Sequence, residues 1–415
     1  MRASPWLPRL LGQLVDVLDH KRVPVSAKER ARRSGDVPYY GAAGQVGWID
    51  KALFNEPLLL LGEDGVQFFD PAKSKAYLIE GPAWVNNHAH VLRARDGLVE
   101  RRFLMYYLNW IDYHGLANGT TRLKLTKTAM TGIPIRLPPL DEQRRIVEML
   151  EDHLSRLDVA AIGLVTALGR LASLRESRIR TELTGGRGPS GHDKAELAGA
   201  GVDDGFLPVM PPGWHWKRLN ELADVVGGIT KDSKRQSDPT SMEVPYLRVA
   251  NVQRGRLDLA TVSSISVPQV TADKLRLQRG DVLLNEGGDR NKLGRGWVWE
   301  GQIERCIHQN HVFRARVRDN QLDPYLLSWA ANSFGGRWCE RNGRQSVNLA
   351  SISLSKIKLM PVSVPPREEQ DAVAARIRAV IDASLRLEHD VVVARQRGAL
   401  FRRALLSAAF SGRLA

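Results

Sequence analysis

Cysteine is almost missing from this chain. Cys306 and Cys339 are its two examples in 415 residues and form no C-x-x-C pair, which excludes a disulfide framework or a cysteine-built zinc site and leaves two ordinary thiols. Long apolar runs are missing as well: "PLLLLG" at 57–62 falls far short of the roughly 18 residues that read as a membrane span. In the opening "MRASPWLPRLLGQLVDVLDH" the apolar stretch is broken by Asp16 and Asp19, and no small-residue cleavage site follows, so it does not read as a secretory leader. The expectation is a cytoplasmic protein. Nucleotide signatures are also lacking. The glycine-rich "VVGGIT" (225–230) and "NEGGDRNKLGRG" (285–296) have neither the lysine-hydroxyl ending of a phosphate loop nor a G-x-G-x-x-G turn. "LPPL", "MPPG" and "VPPR" lack the polar first and aromatic last residues of an amino-methyltransferase tetrapeptide, and no helicase or nuclease motif is present.

Negative charge is the scarcer sign. Against 60 Lys and Arg stand 46 Asp and Glu, a net +14, which points to a polyanionic partner such as nucleic acid or an anionic membrane. Hydrophobic content of 43% and charged content of 26% are those of a soluble globular protein. At 415 residues the chain exceeds one compact core, so two or more domains are expected.

What the chain does have is a repeat. "LPPLDEQRRIVEML" (137–150) returns as "VPPREEQDAVAARI" (364–377), so that Pro138, Pro139, Glu142 and Gln143 recur as Pro365, Pro366, Glu369 and Gln370. At the same offset Leu125, Pro134 and Ile135 match Ile352, Pro361 and Val362, and Leu183, Thr184 and Gly185 match Phe410, Ser411 and Gly412. Upstream the spacing drifts. "VPYY" (37–40) faces "VPYL" (244–247), "WVNNHAHVLRA" (84–94) faces "CIHQNHVFRA" (306–315) with His90 against His311, and Trp6, Leu11 and Leu14 pair with Trp214, Leu219 and Leu222. Each half is a variable globular part followed by a helix.

Those helices are long. From Asp141 to Leu183 no proline occurs, and Val147, Leu150, Leu154, Leu157, Ala161, Leu164, Leu168 and Leu171 recur at three- and four-residue steps, a coiled-coil seam. From Glu368 to Phe410 the seam is Val373, Ile377, Val380, Leu387, Val391, Phe401 and Leu405, weakened by Ser384 and Gly398. At 1.5 Å per residue each reaches ~65 Å. A stripe so narrow and long needs a helical partner, and the other copy is the economical one; two separate coiled coils mediating homodimerisation are the alternative. Residues 141–183 hold seven basic and eight acidic residues and 368–410 hold seven and six, so the struts are near neutral and the excess charge lies in the variable parts. The expected division is a domain at 1–136, a helix at 137–185, a Gly- and Pro-rich linker at 186–213, a second domain at 214–363 and a second helix at 364–415. The domains read as mixed α/β, from short β-rich runs such as "AYLIEG" and "HVFRARV" parted by Gly, Asp and Asn turns. Histidines in "NNHAH" (86–90) and "HQNH" (308–311) have no neighbouring acidic or cysteine set at ligand spacing, so His90 and His311 are expected to make structural hydrogen bonds. A metal-dependent nuclease built on His88, His90, His308 and His311 is the catalytic alternative.

The order of variable domain, P-P-x-x-E-Q helix, variable domain and second P-P-x-x-E-Q helix, with an ending "AFSGRLA", resembles the DNA specificity subunit of a type I restriction-modification enzyme along essentially the whole chain. The resemblance implies an α+β chain with two target recognition domains, separated by two long antiparallel coiled-coil helices in a pseudo-twofold duplication. Each domain would read one half of a split, asymmetric target in double-stranded DNA from the major groove. Two methyltransferase subunits and two ATP-driven restriction subunits would complete the enzyme, and S-adenosylmethionine, ATP and Mg would belong to them; this chain would hold no cofactor or metal and catalyse nothing. A specificity module of another restriction-modification class and a non-DNA coiled-coil adaptor are the competing readings. Since phosphates are gripped by Lys and Arg and base edges by Arg, Asn, Gln, Asp and Glu, the DNA-binding candidates in the first domain are Lys21, Arg22, Lys28, Arg30, Arg32, Arg33, Tyr40, Lys73, Lys75, Arg122 and Lys124. In the second they are Lys231, Lys234, Arg235, Arg248, Asn251, Arg254, Asn285, Arg290, Asn291, Lys292, Arg295, Arg344 and Gln345. The matched Tyr39 and Tyr246 are expected in the cores.

The duplication carries its own prediction. A fragment of residues 1–185 should form a homodimer in which two copies of one helix replace the unlike pair; sedimentation showing a strict monomer would contradict it.

Overall fold

The proline pair before each long helix closes a strand. In the computed structural model, which describes residues 6–119, 121–186, 197, 201–232, 240–345 and 350–413, strand Pro134–Leu137 lies antiparallel to Leu7–Leu10, and Pro361–Val364 lies antiparallel to His215–Arg218. The prolines then hold the chain extended. The first long helix runs Leu140–Glu182, with Asp141 and Glu142 in its first turn; the second runs Gln370–Phe410 after a 3-10 turn at Arg367–Glu369. Carboxylates there suit the exposed N–H groups of a helix start.

The glutamine of the motif is buried in both copies. Gln143 Oε1 accepts from the Glu100 N–H at 2.7 Å, and its Nε2 donates to the Pro138 carbonyl at 2.8 Å and the Leu98 carbonyl at 3.3 Å. Gln370 repeats this with the Asp323 N–H at 3.1 Å and the carbonyls of Gln321 and Pro365 at 3.0 and 3.3 Å. The preceding glutamates take the indole N–H of matched tryptophans, Trp6 to Glu142 and Trp214 to Glu369, each at 3.3 Å. Thus P-P-x-x-E-Q is a bolt that fixes a helix root to the loop ahead of the domain's own helix.

The chain divides into two units, residues 1–167 with 390–415, and residues 168–389. The first unit holds the start of the first long helix and the end of the second. Their antiparallel pairing is marked by the Asp158–Arg402 ion pair, and Phe410, fully buried, packs on Phe103, Tyr107 and Trp110 at ring distances of 5.1 to 5.4 Å. The second unit holds the reverse: Arg175 pairs with Glu388 and Glu182 with Arg376, again antiparallel, while Leu183 is buried in a core with Trp214, Val373 and Ile377. Both helices end alike. Gly185 and Gly412 take φ of +69° and +75°, and the N–H of the next residue reaches back five positions, Gly186 to Thr181 at 2.9 Å and Arg413 to Ala408 at 3.0 Å, the hydrogen bond of a Schellman cap. The internal pairing expected from the sequence is therefore the one present.

Each unit carries the same two sheets. In the first, the antiparallel order is Val15–Val17, Ala89–Ala94, Leu58–Gly62, Ala76–Ile79; in the second it is Ala223–Val226, Val312–Val317, Val282–Asn285, Gly296–Val298. Beside it, Val37–Gly41 pairs antiparallel with Gly44–Ile49 and parallel with Pro82–Val85, as Met242–Leu247 does with Ser263–Val267 and Ile307–His308. Tyr39 and Tyr246 are buried on these strands, as expected. The register corrects one match. Glu63 N–H bonds the His88 carbonyl and Glu286 N–H the His311 carbonyl, so His311 corresponds to His88, and His90 to Phe313. A slip of two residues keeps every side chain on its face, which is why the sequence tolerated the misalignment.

The seam also differs from its sequence reading. Val147, Leu150 and Leu154 are buried and Leu157, Leu164, Leu168 and Leu171 half-buried, but Ala161 is exposed. In the second helix Val373, Ile377 and Leu405 are buried, Leu387 and Phe401 are exposed, and Ser384 is buried instead. Leu387 and Phe401 each precede a seam position held by an ion-paired side chain, Glu388 and Arg402, and one residue is about 100° around a helix.

Gln143→Ala should lower stability by on the order of 2–4 kcal/mol, because three backbone groups lose partners in a buried place. Arg144→Ala, at an exposed position, should change it by under about 0.5 kcal/mol. Urea midpoints measure both, and equal midpoints would show that the bolt contributes nothing.

Candidate nucleic-acid interface

The basic residues fall into three sorts once folded. Lys21, Lys28, Arg32, Lys73 and Lys231 are exposed and form no ion pair among the described residues, so they remain available to phosphate. Lys234 and Arg235 lie outside the described residues. A second sort is half-buried or exposed but engaged. Arg30 stacks over the Tyr39 ring at 4.8 Å; Arg33 lies over Trp84 at 4.5 Å and grips Asp50 at 2.6 Å. Arg122 and Lys124 pair with Asp64 and Glu63 at 2.8 and 2.9 Å. Tyr40 is half-buried against Tyr77, and Arg344 and Gln345 form an exposed strand beside Ala350–Ser351.

The third sort is interior, and here the sequence reading is corrected. Lys75 is 2% exposed, its Nζ donating to the Asp70 carbonyl at 2.6 Å, and burial pushes its pKa down. Asn251 accepts from the Arg248 N–H and donates to the carbonyls of Asp258 and Thr261, and Asn285 donates to those of Val249 and Val252. Arg248 is half-buried with its Nε sealed off and unbonded. Arg22 lies within a charged core. Such groups hold loops in shape. Meanwhile Arg254, Asn291, Lys292 and Arg295 come together on one cleft of the second unit, flanked by Arg290, which donates to the Glu340 carbonyl at 2.9 Å.

Comparison with known proteins decides what this scaffold is. A family model described as type I restriction modification DNA specificity domain matches residues 4–162 and 211–391, well over half of the chain and once per repeat. The chain belongs to that family. A Haemophilus influenzae protein named as a type I restriction enzyme specificity subunit is 25% identical over 376 residues, covering 89% of this chain and 86% of its own. A solved chain from a study of complex assembly and conformational transition in the type I restriction-modification system superposes with a TM-score of 0.70 at 18% identity, covering 99% of this chain and 98% of its own. The HsdS subunit from Thermoanaerobacter tengcongensis gives 0.55, also at 18%, covering 100% and 98%. As in the family, the two variable segments are target recognition domains, and the fold class expected from the sequence is the one seen.

One constellation in this specificity chain resembles a metal site. Asp19, Glu63 and His90 bring ligand atoms within 4.8 Å of one another, acids supplied from 71 and 27 positions away that no local spacing announces. The atoms are already bonded. His90 Nδ1 is 2.6 Å from Asp19 and its Nε2 is 2.8 Å from the Leu125 carbonyl; Arg22 reaches Glu63 at 2.8 Å and the Ala89 carbonyl at 2.7 Å. Arg22 thus fills the place of a cation and ties the loop after Val15–Val17 to the sheet. His88 and His311 each rest on a carboxylate, Asp64 at 2.8 Å and Glu286 at 2.6 Å. Buried His308 bonds the Val312 carbonyl, and burial pulls its pKa down to about 4.

Burial raises the pKa of both Asp19 and Glu63, but bonds from His90 to one and from Arg22 and Lys124 to the other outweigh it, so both lie below the usual carboxylate range. The unfolded chain therefore takes up protons first as pH falls. The stability these groups supply is complete above about pH 5 and is lost as pH drops through their folded values. Asp19→Asn should lower the urea midpoint at pH 7 and flatten its decline between about pH 5 and 3; curves parallel to the parent's would contradict this.

Proposed function

We propose that this chain reads a bipartite, asymmetric DNA target, one half with each recognition domain, and directs methyltransferase and restriction subunits to it while catalysing nothing itself. The observation that carries this reading is one scaffold used twice with different surfaces. The bolts, sheets and helix caps coincide in both units, whereas the residues presented around them differ, as where exposed Trp48, opposite Pro38, corresponds to exposed Ser264, opposite Pro245. A symmetric reader would repeat its surface too. The near-neutral struts support the same reading, because they leave the cationic excess on the domains.

The struts carry exposed apolar side chains suited to protein partners. In the first unit Val159, Ile162 and Leu400 are each at least two-thirds exposed, an arrangement more often covered than left to water. Two methyltransferase and two restriction subunits are the partners we assign, with S-adenosylmethionine, ATP and Mg bound by them. The chain would act in the cytoplasm, where host DNA is.

Mapping methylated adenines in the source genome tests the reading. A split motif with an unread spacer is expected. Exchanging residues 1–136 for those of a relative should then alter one half of the motif only; a change in both halves, or a continuous palindrome in the parent, would overturn it.

A further inference from the structure

The second unit contains a cleft of about 730 Å³ where the end of the first long helix meets the turn Ala331–Gly335. Six cations line it, Arg180, Arg254, Arg256, Lys292, Arg295 and Arg337, against the carboxylates of Glu176 and Glu340. Arg180 is paired with Glu176 and Lys292 with Asp289. Arg254, Arg256, Arg295 and Arg337 have no carboxylate partner among the described residues; Arg254 spends its donors on the carbonyls of Asn332 and Asn291. Four arginines gathered in one cleft without a paired carboxylate of their own repel one another, a cost that an arriving anion would offset.

Three donors on residues lining this cleft lack acceptors. The Nε atoms of Arg180 and Arg295 and the Ser333 hydroxyl are sealed from water and bonded to nothing. Buried donors are nearly always satisfied, so three around one cleft are unusual. Ser333 sits in a stretch of π-helix, a rare form that is frequent at functional sites. Burial, and then the neighbouring Arg254, lower the pKa of Arg295, and Asp289 offsets this only in part.

We propose that this cleft grips the sugar-phosphate backbone of DNA, Arg295 and Arg256 contacting phosphate oxygens and Ser333 and Arg180 turning to complete the site. This rests on the reading of the chain as DNA-binding and deepens it. The lining argues for backbone and against a free nucleotide. It contains no aromatic and no large apolar side chain on which a base could stack, whereas pockets for small ligands are mostly apolar. The cleft also adjoins the turn Arg290–Lys292 and the helix Gly336–Asn342, which leads directly into the exposed strand Arg344–Gln345. The sequence reading missed Arg180, Arg256 and Arg337, the first because it was counted within a neutral strut.

The test measures binding of the full chain to a duplex carrying its target and to an unrelated duplex, between 50 and 300 mM salt. Arg295→Gln and Arg256→Gln should each weaken both complexes alike, by about one order of magnitude at 0.1 M, and each should lower the salt slope by about 0.9. Arg256 is exposed, so its variant separates the effect from folding, and unchanged melting confirms this for Arg295. An unaltered slope in both variants would overturn the cleft while leaving the proposed function standing. So would a loss confined to the target duplex, which would mean base contact. Pyrophosphate or ATP binding lost in Arg295→Gln with the DNA slope intact would also overturn it, marking a free-phosphate site. A parent chain that bound neither duplex would sink both proposals together.

Discussion

The hydrogen bonds of two buried glutamines are the constraint on which the rest of this structure depends. A helix of about 40 residues acts as a strut only if its root cannot swivel, and a root held by apolar packing alone leaves rotation about the helix axis loosely set. Gln143 and Gln370 remove that freedom. Each primary amide offers one acceptor and two donors in a plane, and each spends all three on backbone groups of two different segments. Met by three fixed partners, the amide tolerates one helix orientation. The adjacent Glu142 and Glu369, held by Trp6 and Trp214, tie in the strand where each domain begins.

With its root fixed, each helix can close the other domain's core. Phe410 completes the aromatic cluster of the first unit, and Leu183 is buried in the second. A domain therefore has its own helix root and a borrowed helix end. The borrowed end sits where the chain enters the domain: a side chain on Gly412 would approach Trp6, and one on Gly185 would meet Pro211 and Trp214. Left-handed backbone at both glycines turns the chain away at once, so both positions keep glycine for its conformation, and Gly185 for lack of space as well.

Most of this frame was legible in the sequence because its parts are local. Proline, acid and glutamine sit within six residues, the cap glycines stand at a constant offset, and the seam is a period. What escaped was non-local. The partner acids of His90 lie far off in the chain, Asp19 in the 3-10 turn Asp19–Lys21 and Glu63 just past the strand Leu58–Gly62, and arginine serves equally as a phosphate ligand, a ring cover and an interior ion. Of the cluster Arg30, Arg32 and Arg33, two are bound to the domain itself, over Tyr39 and Trp84, and only Arg32 is left to solvent. Asn251 and Asn285 read as base contacts because Asn in a turn looks the same whether it faces DNA or its own backbone. Period alone likewise cannot tell a seam position from its neighbour once charged residues such as Glu388 join the seam.

The places where the two copies differ in length show how recognition diverges without disturbing the frame. Tyr39 and Tyr246 correspond at an offset of 207, while Leu59 and Val282 correspond at 223, so the second domain gains its extra chain between them, where it builds the Val252–Leu257 hairpin and the helix Gln269–Leu275. From Glu63 and Glu286 to Leu125 and Ile352 the offset rises again to 227, and this stretch contains the turn Ala331–Gly335 and the helix Gly336–Asn342. From Leu125 and Ile352 to the caps it does not change at all. Insertions are cheap in surface loops, but one residue added between a bolt and a cap would rotate the borrowed end by about 100° and take Phe410 or Leu183 out of its core. Variation is thus confined by mechanics to the two stretches that can face a partner, and the cationic cleft is built from both of them, with Arg254 and Arg256 from the first and Ser333 and Arg337 from the second.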